Sequence, residues 1–148
     1  MRGRSLCLVV IGSLVATGAL LGGDNEAVLK KLQGTWKFVS QEMDGKEAPK
    51  DKLAKMTITF EGDKWTVRDG DKVAQAGTHK FDPSKKPVQV DAKVTEGESK
   101  GSTMLGIAEW KGDNTMRVCF DPKGKERPKT FDSKDGRFVA VVEREKKK

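Results

Sequence analysis

The chain has 148 residues, with 29 Lys and Arg against 22 Asp and Glu and a formal charge of +7. That length suits one domain with its own core. A single histidine and two cysteines exclude the usual zinc sites, which take three or four protein ligands, and basic and acidic residues alternate in "EMDGKEAPKDK" and "DPSKK" as on a solvated surface, not as in a nucleic-acid groove.

The first 23 residues, "MRGRSLCLVVIGSLVATGALLGG", carry Arg2 and Arg4, an apolar run from Leu6 to Leu21 and then small residues. This three-part layout predicts a secretory signal peptide. The run is short for a membrane span, which needs about 20 apolar residues; an uncleaved anchor is the alternative. Cleavage is expected after Ala19 or near Gly23, leaving a domain over residues 24–148 that ends in the basic tail "REKKK". The expected location is periplasmic or extracellular, with no integral membrane span after cleavage. Beyond residue 23 the charge falls to +5, from 27 basic and 22 acidic residues, and Cys119 is the only cysteine. No intrachain disulfide can form there, and a monomer is expected.

"DNEAVLKKLQG" predicts a two-turn helix, capped by Asp24 or Asn25 and ended by Gly34. Strands and turns follow. "TWKFVSQEM" alternates up to an Asp-Gly turn. "MTITF" and "WTVR" flank "EGDK", and "DGDK" leads into "VAQAGTHKF". After "DPSKKP", "VQVDAKV" alternates without a break. "MLGIAEW" and "TMRVCF" flank "KGDN". A long loop, "DPKGKERPK", precedes a stub at "TFD", and "RFVAVVERE" closes the pattern. These are eight or nine strands joined by connections mostly too short for parallel crossovers. They predict an all-β antiparallel meander that closes into an eight-stranded up-and-down barrel with a short N-terminal helix. A β-sandwich is the alternative.

A helix followed by Gly34-x-Trp36 at the first strand and then a meander resembles the lipocalin and calycin pattern. In that family the glycine turns the chain into the first strand, the tryptophan closes one barrel end, and an arginine of the last strand packs on the indole. Arg144 shares a face with Phe138, Ala140 and Val142, and a cation over the Trp36 ring is a sensible role for it. The blocks "LQGTWKFVS", "MTITFEGDKWTV", "AGTHKFDPSKKP", "LGIAEWKGDNTMRVCF" and "RPKTFDSKDGRFVAVVERE" resemble, in order, an exported lipocalin-like family expanded in planctomycete bacteria. That resemblance implies fold and export and brings no catalytic residue.

The apolar face is the one feature able to form a ligand site. Phe38, Ile58, Phe60, Trp65, Phe81, Val90, Ile107 and Val118 are expected to line the interior; Leu105 and Ile107 are favoured over Met104, Gly106 and Trp110 for the inward positions of their strand. His79 shares the face of Phe81 and reads as structural or surface, since no triad partner accompanies it. Asp69 and Asp71 lack the companions of a calcium loop. Cys119 falls on the outer face with Arg117. No cofactor, metal, catalytic residue or nucleic-acid partner is expected. The leading expectation is non-catalytic binding of a small apolar ligand, and the alternative is a filled barrel serving as an envelope or protein-interaction module. A pocket of a few hundred Å³ favours the first, and a filled interior the second.

Overall fold

The structure, a computed structural model, describes residues 19–146, with side chains from residue 26 onward. Most of the expected signal segment lies outside the described residues. Helix α1 (Ala19–Leu32) starts earlier than the cap expected at Asp24 or Asn25. Ala19, Leu20 and Leu21 are strong helix formers, and the helix continues through the two glycines after them. Ten further elements follow: β1 (Gly34–Met43), β2 (Lys46–Glu47), α2 (Lys50–Leu53), β3 (Met56–Glu61), β4 (Lys64–Asp69), β5 (Lys72–Asp82), β6 (Val88–Gly97), β7 (Thr103–Lys111), β8 (Thr115–Asp121) and β9 (Phe138–Arg144).

Every strand pairs antiparallel with its neighbour, and β1 pairs with β9. β2 only extends the end of β1 through Glu42–Glu47 and Met43–Lys46. The sheet is therefore a closed barrel of eight strands. The two-residue β2 lies in the stretch read from sequence as turn, and the single turn of α2 in residues to which the sequence pattern assigned no element. Leu53 is the buried residue of α2 and anchors that turn to the core. The expected strand stub at "TFD" is not a strand; residues 130–132 belong to an irregular connection from 122 to 137.

Closure needs alternate residues of every strand to face inward. One rung shows the phase: Val90 pairs with Gly106, Gly106 with Phe120, and Phe120 with Phe138. Gly106 is inward because Phe120 occupies its space; a Cβ there would lie 2.3 Å from the Phe120 ring. Hence Met104, Gly106 and Ala108 face the interior. Leu105 and Ile107 point outward, opposite Asp121 and Cys119, which corrects the inward placement expected for both. The sequence misled because Ile107 and Cys119 are buried on the outer face, where the 122–137 connection lies.

That connection is anchored at several points. The Asp121 carboxylate accepts from the backbone N–H groups of Lys123, Lys125 and Glu126. Burial alone would raise its pKa, yet these donors hold the carboxyl below the usual range. Arg127 donates to the Val90 and Gly106 carbonyls at 2.9 and 2.8 Å and pairs with Asp91. Ser133 bonds Glu42 at 2.8 Å, and Gly136 N–H donates to Asp44 at 2.7 Å. The Cys119 thiol donates to the Asp132 carbonyl at 3.4 Å. Burial pushes that thiol's pKa up, which makes it a poor nucleophile.

Candidate ligand-binding site

One end of the barrel is closed by α1. Leu32 and Trp36 have no exposed surface, and the Trp36 indole N–H donates to the Leu32 carbonyl at 2.8 Å. Arg144, the register partner of Trp36, places its guanidinium carbon 4.4 Å from the indole centroid. It also donates to the Gln33 carbonyl at 2.6 Å and to the Lys31 carbonyl. One planar fork thus covers the ring and satisfies carbonyls at the end of α1, where a cation also suits the helix dipole. Gly34 makes this possible. Its φ of +113° is a conformation that other residues rarely adopt. Gly34, Trp36 and Arg144 therefore meet at the closed end.

Above this end lies a cavity of about 90 Å³. Phe38, Ile58, Phe60, Trp65, Phe81, Val90 and Val118 line it, as the sequence phase implies, together with Met104 and Phe120. Ile107 is not in the wall, because it faces outward. The only lining side chains with polar atoms are Gln75, His79 and Trp65. Two of them are satisfied: Gln75 donates to the Glu98 carbonyl at 2.9 Å and Trp65 to the Thr78 carbonyl at 3.0 Å.

His79 differs. It is 6% exposed, and neither ring nitrogen has a hydrogen-bond partner among the described residues. Its backbone N–H is occupied by the Asp63 carbonyl at 2.9 Å. The imidazole stands edge-on between Phe60 and Phe81, with ring centroids at 5.6 and 5.0 Å. Burial lowers its pKa below the usual histidine value, and Asp63 offsets part of that. The ring is therefore neutral at physiological pH, with one donor and one acceptor unused. The sequence phase put His79 on the face of Phe81; it gave no sign that both nitrogens lack partners.

Among the described residues, no group of three or more His, Cys, Asp or Glu side chains could hold a metal ion. The chemistry open to this interior is desolvation of a small apolar guest. Comparison of the chain with protein families, with curated proteins and with solved structures finds no match.

Proposed function

We propose that this protein is a lipocalin-like, non-catalytic binding protein that takes one small apolar molecule into its barrel. The observation that carries this reading is the wall of aromatic and aliphatic side chains around a cavity of about 90 Å³, a volume below the few hundred Å³ that would favour a ligand by size. Dry cavities of about 150 Å³ with such walls admit benzene or xenon. One water needs only about 10–15 Å³, while drug-sized ligands occupy about 300–1,000 Å³. The guest is therefore small. Among the described residues no hydroxyl or thiol is bonded to His79, so the ring has no nucleophile to activate.

Benzene titration tests the reading. The Ile58 and Val118 methyl resonances should shift saturably, while the outward Ile107 methyls move little. Native mass spectrometry of protein from its own host should show a retained small molecule. A second reading, a filled barrel acting as an envelope or interaction module, draws support from the modest cavity volume; it predicts no benzene response at all.

Export belongs to the same proposal, with residues 1–23 as signal and residues 24–148 as a monomeric domain. Sequencing of the mature N-terminus should find a start between Leu20 and Asn25. A mature form beginning at Met1 or Arg2 would refute cleavage.

A further inference from the structure

The interior contains one feature that a purely apolar guest does not explain. A buried polar group without a partner is destabilising, and His79, a residue of the cavity wall, carries two such atoms, both covered by surrounding protein in this conformation. Every other polar side chain of that wall is hydrogen-bonded within the protein. A Leu or Phe at this position would fill similar space without the penalty. We propose that His79 is a polar anchor for the guest, and that the guest is a small, mainly apolar molecule bearing one neutral hydroxyl. This rests on the binding role proposed above and narrows its ligand class.

The chemistry selects a hydroxyl. A neutral imidazole offers one N–H donor and one lone-pair acceptor, and a hydroxyl can answer either. A carboxylate is disfavoured, because the apolar wall would leave its charge desolvated. Asp63 is the charged group whose field reaches the ring, and its negative sign also opposes an anionic guest. An alkane or arene leaves both nitrogens unpaired. The terminal ring torsion of histidine is broad and roughly two-fold, so rotation can turn a nitrogen toward the guest.

Phenol and benzene form the discriminating pair, since they differ by one hydroxyl. The chain has one histidine, so ¹⁵N-histidine labelling yields imidazole signals from His79 alone. Phenol should shift one ring-nitrogen resonance, and benzene should leave both nearly in place. In His79→Leu the preference for phenol over benzene should fall about five- to tenfold, the worth of one hydrogen bond. If benzene binds while phenol moves neither nitrogen and His79→Leu keeps the wild-type preference, the anchor is wrong and the apolar site stands; a resident water on His79 would give that result. If neither compound binds, the binding reading itself falls, and the anchor with it. The nitrogen spectra need only the wild-type protein, so the test survives a poorly folding variant.

Discussion

Removing Arg144 should loosen the closed end in a way that depends on Trp36. Arg144→Ala deletes a cation–π contact worth about 1–2 kcal/mol when partly desolvated. It also deletes two hydrogen bonds to carbonyls at the end of α1, each worth about 0.5–1.5 kcal/mol net. Arg144 is only partly buried, so solvent recovers some of this, and the expected loss is about 2–3 kcal/mol. Trp36 has no exposed surface, and Trp36→Ala should cost about 3–5 kcal/mol. The two losses should not add. Without the indole, the guanidinium has no ring to cover, and the double variant should be about 1–2 kcal/mol more stable than the sum implies. Arg144→Lys keeps the charge but not the planar fork, so it should recover less than half of the loss. Equilibrium urea unfolding of the four cycle members and Arg144→Lys measures all these quantities. Additivity within about 0.5 kcal/mol, or a lysine variant equal to wild type, would sink the argument that one side chain joins ring, helix end and last strand.

Gly106→Ala places a methyl group 2.3 Å from the Phe120 ring and should destabilise by about 1–3 kcal/mol; an unchanged urea midpoint would show that Phe120 moves freely. His79 gives an acid signature with a fixed sign. Its native pKa is depressed, so stability is highest above the ordinary histidine value of about 6.5. It declines as pH falls from there toward the native pKa, because the unfolded chain binds the proton first. Midpoints at pH 7.5 and 5.5 should differ more for wild type than for His79→Phe, and equal differences would exonerate the histidine. The Cys119 thiol should react with a thiol reagent far more slowly in the native than in the unfolded protein, and reductant should leave the melting temperature unchanged. Rapid native labelling would contradict its burial behind the 122–137 connection.

The barrel was legible because its signals are local. Asp-Gly and Gly-Asp turns punctuate alternating runs, and alternation fixes which residues face inward on β1, β3, β4, β6, β8 and β9. The meeting of Arg144 and Trp36 was expected from the resemblance to the lipocalin pattern, and phase with Phe138 and Val142 on the last strand only picked out Arg144. β7 defeated this logic. "MLGIAEW" is apolar on both faces, because the interior buries Met104 and Ala108 while the 122–137 side buries Ile107. Its phase is decided by Gly106, whose missing side chain is an adaptation to Phe120 on the next strand. The cavity and the unpartnered state of His79 were not legible at all. They depend on how large side chains from opposite walls meet across the barrel, and no spacing along the chain records that.

The pairing pattern also orders the assembly of the molecule. All but one of the barrel seams join consecutive barrel strands, three of them through tight turns. The exception is the β1–β9 seam, which brings Trp36 against Arg144 and Met43 against Phe138. Closing a loop of roughly 100 residues costs about 3 kcal/mol more chain entropy than closing a four-residue turn. The hairpins can therefore zip first, as a curling ribbon with two free edges, and the last seam converts ribbon into cylinder. That seam carries an irregularity between Phe38 and Ser40, as β4–β5 and β5–β6 do elsewhere, so the entropic cost is what sets it apart. Amide protons of β1 and β9 should accordingly exchange through the lowest-energy opening of the barrel. The Trp36–Arg144 contact then works as a clasp on the edge where the ribbon would otherwise uncurl.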